Sequence, residues 1–270
     1  MQLLFFCPRW GSENLGWDSF CKKAKESGYD GIESGVPFDQ NEKQEMLHAL
    51  ARHGLQLIGQ YWHSFEKDFI QHKNAYTRHL QHLVSVLPVK IDAQTGKDYF
   101  SFEQNKELFE IAAAFTSSTG ITIAHETHRN KALFSSHITK NYLEKIPSLT
   151  ITADFSHWCT VAESYLEDQQ ESVTLAIQHS VHIHARVGHT QGPQVTDPRF
   201  PEWKEALQYH TNWWKEIFLQ HKKKGSKQFT ITPEFGPAPY MQHDPITKLP
   251  LADQWGINQW MMEYLKKELQ

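Results

Sequence analysis

Four stretches in the second half of the chain end an apolar–polar alternation on a carboxylate or a basic group. They are Thr122, Ala124, Glu126; Thr150, Thr152, Asp154; His182, His184, Arg186; and Thr230, Thr232, Glu234. Successive side chains of a β-strand point to opposite faces, so each triplet shares one face and finishes at the strand's carboxyl end. Glu126, Asp154, His184 and Glu234 then stand at one level beneath a common mouth. Carboxylates crowded into an enclosed space repel one another, and burial raises the pKa of each unless a cation compensates. Three oxygen donors and one imidazole suit a single divalent ion, Mn, Mg, Co or Zn, and spacing alone does not choose among them. Singly satisfied polar core residues are the competing explanation, disfavoured because four independent strands agree.

The elements that would position these residues are legible too. In VHIHARVGH, residues 181–189, His182, His184 and Arg186 share one face while Val181, Ile183, Ala185 and Val187 share the other. A strand covered by helices on one side and lining a polar interior on the other belongs in a parallel β/α barrel, whose ligands bind at the carboxyl ends of the strands. Strands are expected at 3–7, 31–34, 55–61, 89–93, 121–125, 150–155, 181–189 and 229–233. Helical period is expected at 17–27, 41–52, 67–86, from 102, at 140–145, 163–179 and 202–222, and near the C-terminus. Gly54 closes the second helix, and Ser101 with Gln104 forms a capping-box signature for the fourth. Eight such units in 270 residues match the roughly 250 of a (β/α)8 barrel, so the expectation is an α/β, single-domain TIM barrel over residues 1–270. The long segment 189–201, with Gly192, Pro193, Pro198 and Pro201, is expected to be a lid or substrate loop.

Composition narrows the partners. With 27 Lys and Arg against 31 Asp and Glu, the formal net charge is -4, without the basic excess that attracts a phosphate backbone. Cys7, Cys21 and Cys159 are odd in number and lack CxxC spacing, which fits neither a disulfide framework nor a zinc-thiolate site. The N-terminal apolar run is too short for a signal sequence and no run approaches a membrane helix, so a cytoplasmic protein is expected. The expected partner is a small molecule, with no nucleic acid and no membrane; homo-oligomerisation is compatible with the sequence.

At these residues the chain resembles a known group. AHETH at 124–128, ADFSHW at 153–158, HIHAR at 182–186 and TPEFGP at 232–237 look like the metal-site segments of the xylose isomerase-like TIM barrels. That superfamily contains sugar isomerases and epimerases and is related to endonuclease IV. The resemblance implies one divalent metal held by Glu126, Asp154, His184 and Glu234, with His157 contacting substrate. His184 is preferred to His182 because the second histidine of the group's HxH is the ligand, and His182 lies a layer deeper. Ketose epimerases of the group carry an arginine six residues beyond that histidine; here Thr190 stands there, and Arg186 stands two beyond.

The implied activity is that of a metal-dependent isomerase or epimerase of a sugar or sugar phosphate. Glu126 and Glu234 are the candidate catalytic carboxylates, transferring a proton through an enediolate. Substrate-binding candidates are His157, Arg186, Glu33 in GIESG, His63 and Gln94 at the ends of strands 3 and 4, Arg9 beside Trp10, and His182. A metal-dependent dehydratase or lyase acting on a keto-polyol or cyclitol is the alternative. An endonuclease IV-like nuclease or a non-catalytic sugar-binding protein ranks lower. The nuclease reading rests on the spacing of Asp154 and His157, but the chain has Asp197-Pro198-Arg199 where a further D-x-H pair would fall.

Overall fold

The computed structural model describes residues 1–270. Eight parallel strands close into a barrel in chain order. They are β1 (Gln2–Pro8), β2 (Gly31–Ser34), β3 (Gln56–Tyr61), β4 (Lys90–Ala93), β5 (Ile123–Glu126), β6 (Ile151–Ala153), β7 (Ser180–His184) and β8 (Gln228–Thr232). Around them lie α1 (Trp17–Glu26), α2 (Gln40–His53), α3 (Phe69–Val84), α4 (Phe102–Thr119), α5 (Ser136–Lys145), α6 (Ser156–Ala162), α7 (Gln170–His179), α8 (Lys204–Lys223) and α9 (Gln254–Glu268). The expected single-domain (β/α)8 barrel is the observed fold. No helix is long and apolar enough to cross a membrane.

Local chemistry explains most boundaries. Asp39 and Asp68 accept from Glu42 N and Gln71 N to start α2 and α3. Ser101 and Gln104 form the reciprocal capping box of α4. Gly54 ends α2 in the left-handed conformation, φ 60°, which only glycine adopts without strain. A continuous core of 58 buried residues fills the layer between strands and helices, including Phe20, Trp158 and Ile217. Inside the barrel, Leu4, Phe6 and Ile58 form a small apolar cluster of their own, and the remaining interior is polar.

Three expectations change. The helix expected over 163–179 begins only at Gln170, as α7, and an unexpected helix, α6, precedes it from Ser156, the two joined through Glu163 and Leu166 at φ 51° and 62°. The strand expected over 181–189 stops at His184, where Arg186 N turns back to His184 O. Helix α5 starts four residues before its expected position, at Ser136.

Candidate active site

Closure brings Glu126, Asp154, His184 and Glu234 together, each offering a ligand atom within 4.8 Å of the others. All four are buried. The strand alternation that suggested them is retained in β5, β7 and β8; Asp154 follows directly on the last residue of β6, and Glu234 lies two residues beyond the end of β8.

The orientation of His184 is set from across the barrel. Its Nε2 lies 2.9 Å from Glu33 Oε1, so Nε2 carries the proton and Nδ1 turns its lone pair toward the carboxylates. Nδ1 is 3.0 Å from Glu234 Oε2 and 3.4 Å from Glu126 Oε1, neither with hydrogen-bond geometry. Both oxygens of Glu126 are likewise buried without a partner. A lone pair facing two carboxylates calls for a cation between them. Burial opposes a charged His184, yet Glu234, Glu33 and Asp92 outweigh it and hold its pKa well above the usual histidine value, so the site draws a positive charge to Nδ1, a proton or a metal ion. Burial raises Glu126 above the usual carboxylate range. For Glu234 burial pulls upward, but His184 and Arg186 outweigh it and hold the group low.

Asp154 is differently placed. Its Oδ2 accepts from Arg186 Nη2 and its Oδ1 from Ser156 Oγ, while Arg186 Nη2 also lies 3.4 Å from Glu234 Oε2. Arg186 is thus a counter-ion inside the cluster. It is 98% buried, reached from the turn after β7, and its guanidinium lies 4.8 Å from the Tyr240 ring.

A formal count tests whether a metal fits. Glu33, Asp92, Glu126, Asp154 and Glu234 are five buried carboxylates. Beside them stand the cations Arg186, the Lys90 ammonium, which donates to Thr230 Oγ1 inside the barrel, and buried Lys131, which acts on Glu126. The carboxyl groups outnumber these cations, and buried charge of one sign demands neutralisation. The unpartnered atoms of Glu126 and His184 are where a divalent ion would relieve it, so the residues fit the ion.

Several substrate candidates take other places. Glu33 does not bind at the mouth: it is buried, receiving His184 on one oxygen and His182 and Thr232 on the other. Burial alone would raise its pKa, but His184 and His182 hold it well below the usual range. His182 is also out of substrate reach, with Nδ1 2.9 Å from Thr230 O. The His157 ring is fully buried between Arg186 and Arg129 and is covered by the His128 ring, centroids 3.8 Å apart. His128, not His157, lines the cavity. Arg9 lines it too, but its guanidinium packs on Trp17 and Phe20 and donates to Leu15 O. His63, Gln94 and Arg186 do line the cavity. Segment 189–201 does not; Gln194 instead grips Gly236 N and O, bracing the loop that carries Tyr240. Asp197 pairs with Arg199, away from the cluster.

Asp92, Lys90 and Gln60 went unremarked in the sequence. Asp92 is buried with both oxygens unpartnered, 3.9 Å from His184 Nε2, and burial drives its pKa well above the usual range. Gln60 Nε2 donates to Glu234 Oε1 at 3.3 Å. The signal was available: Lys90 and Asp92 alternate in KIDA as the other polar residues do in their strands.

The architecture has close counterparts among solved structures. A xylose isomerase-like TIM barrel protein from Mycobacterium smegmatis, in complex with magnesium, superposes with TM-score 0.64 at 11% identity, over 99% of this chain and 98% of that one. The chain shares the closed (β/α)8 barrel fold of that protein. The 3-keto-D-glucoside 4-epimerase of E. coli matches with TM-score 0.60 at 13% identity, over 98% and 100%. A probable 3-DHS dehydratase from Bacillus anthracis matches with TM-score 0.60 at 17% identity, over 98% and 99%. At such identities the likeness is one of fold. No protein-family model matches the chain, and no curated protein matches it.

Proposed function

We propose that this protein is a divalent-metal-dependent isomerase or epimerase acting on a small carbohydrate. The observation that carries the reading is the unpartnered pair of Glu126 oxygens facing His184 Nδ1 and Glu234 in a buried, negatively charged site. Glu126, Asp154, His184 and Glu234 would hold the metal, which supplies Lewis-acid polarisation of a carbonyl and its neighbouring hydroxyl. The fold counterparts, a magnesium complex and a sugar epimerase among them, support the same reading.

The residues divide the work. Glu126, buried with both oxygens unpartnered, takes the proton on the carbon next to the carbonyl. The resulting enediolate accepts a proton back from Glu126 or Glu234. Return to the same carbon from the other face inverts it, and return to the neighbouring carbon isomerises the sugar. Arg186 holds Asp154 in place and adds positive charge beside Glu234, while Glu33 keeps the His184 ring from rotating. Tyr240 and Trp10, in edge contact at 5.1 Å, form an apolar wall over Arg186 that limits water.

The test combines metal content with isotope exchange. Protein purified without chelator should carry about one equivalent of metal per chain, weakened in Glu126→Gln. Exchange of a sugar carbon-bound proton with D2O should fall by about 10²–10⁴ in the variant. Absence of bound metal after incubation with Mn, Mg, Co and Zn, or absence of exchange across a panel of keto sugars, would sink the reading. Loss of water from a keto-polyol without change of configuration would instead assign a lyase.

A further inference from the structure

The cavity over the cluster is about 610 Å³, within the range of about 300–1,000 Å³ that holds drug-sized ligands and more than one hexose needs. Its inner end reaches Arg186 and Glu234; the remainder extends away from β5–β8, over the ends of β1, β2 and β3. That outer part is aromatic. Gln60, which touches Glu234, and Trp62, the residue just beyond the end of β3, both line this cavity.

Trp62 is 44% exposed, an expensive position for an indole unless something covers it. Its ring is held in one orientation. His63 stacks on it at 4.1 Å, His79 stacks on His63 at 4.7 Å, and Phe65 braces it edge-on at 5.6 Å. Burial lowers the pKa of His63 and takes His79 to about 4, so the stack is uncharged at neutral pH. Trp10 and Trp17 line the same cavity, and the Gln94 carboxamide, without a partner in the protein, opens into it. The acidic groups at this outer end are Glu13 and Glu42, while the one cation, Arg9, is tied to Leu15 O. Nothing there recognises a phosphate.

We propose that the outer cavity is a subsite for a second ring, so that the substrate is a glycoside whose reacting ring keeps a carbonyl, as a free reducing end or a ring ketone, rather than a monosaccharide or sugar phosphate. The apolar face of that ring lies on Trp62 while the reacting sugar occupies the inner end. The inference rests on the sugar-processing function proposed above.

Binding is read by intrinsic tryptophan fluorescence on Mg-loaded protein. The probes are glucose, galactose, mannose and xylose, the 6-phosphates of the three hexoses, and the phenyl glycosides and β-linked disaccharides of each sugar in both anomers where they exist. At least one glycoside should bind about tenfold more tightly than its free sugar and its phosphate. Trp62→Ala should abolish that gain and Trp62→Phe should retain most of it. Both variants should keep the melting temperature of the wild type, the side chain being half exposed. The proposal is overturned if no glycoside exceeds its parent sugar, if a phosphate binds best, or if the gain survives Trp62→Ala. It is equally overturned if Trp62→Ala changes the oligomeric state in sedimentation without changing glycoside affinity. D2O exchange on the same panel separates the two ideas. Exchange of free sugars without glycoside preference sinks only the subsite; glycoside preference without exchange on any free sugar or reducing disaccharide, the members of the panel with a carbonyl, sinks the isomerase.

Discussion

The carboxyl ends of β5–β8 and of β1–β4 are two halves of one rim, built from the same repeating unit and furnished differently. The first half carries Glu126, Asp154, His184 and Glu234, every one buried and in mutual contact. The second carries Trp10, Trp62, His63 and Gln94, partly exposed around an open cavity. One half is shaped to hold charge away from water and the other to receive an apolar ring face. A barrel allows this division because each βα loop varies without disturbing its neighbour's strand.

Glu33 is the sharpest test of that division, since it belongs to β2 but acts on His184 of β7. Glu33→Gln should weaken metal affinity about 10–100-fold by releasing the imidazole. Metal titration followed by fluorescence checks it, and unchanged affinity would break the assignment of Glu33 as the residue that orients His184. A mouth role predicts the opposite pattern, with metal affinity kept and sugar binding lost.

The two halves should also respond unequally to a single added methyl group. At Gly188 a Cβ would stand 2.7–2.9 Å from Ser156 Cβ, O and Cα. Gly188→Ala should therefore destabilise the fold by about 1–3 kcal/mol and displace the turn holding Arg186 and Ser156 against Asp154. At Gly35, on the cavity side, the nearest atoms are 3.7–3.9 Å away. Gly35→Ala should leave the melting temperature nearly unchanged. Equal losses in thermal unfolding would erase the contrast.

A smaller effect should appear with pH. His210 lies beneath the turn after β7, with Nδ1 2.9 Å from Ala206 O and Nε2 accepting from Gly188 N. Only the neutral ring satisfies both contacts, and burial takes its pKa to about 4. Buried His125 is taken to about 3. In the unfolded chain histidine titrates near pH 6.5 (about), so below that value the unfolded state binds more protons than the native one. These two groups leave stability intact above about pH 6.5 and remove it progressively as pH falls toward 4, by about 2 kcal/mol each at pH 5. Thermal unfolding should show the decline, and His210→Gln should flatten it. A variant as acid-sensitive as the wild type would deny His210 its share.

How much of this was legible in the sequence follows from which contacts are local. Alternation within five residues marked Glu126, His184 and, just beyond β6 and β8, Asp154 and Glu234, because strand pleat is a local property. The same test applied to KIDA would have marked Lys90 and Asp92. Arg186 was placed on the correct side for a reason that does not hold, since β7 ends two residues before it. Capping at Ser101 and Gly54 was equally readable, being written in residues that touch their own helix.

The sequence by itself determined the eight βα units, the polar faces of the second-half strands and the acidic balance that disfavours nucleic acid. Only the tertiary structure decided that Glu33 meets His184, 151 residues away, that Gln60 meets Glu234, and that His157 is covered by His128. It alone showed Arg186 taking an oxygen of Asp154. The reason is physical: periodicity says which face a side chain takes, whereas the distance across a barrel depends on how all eight strands tilt and stagger when the sheet closes.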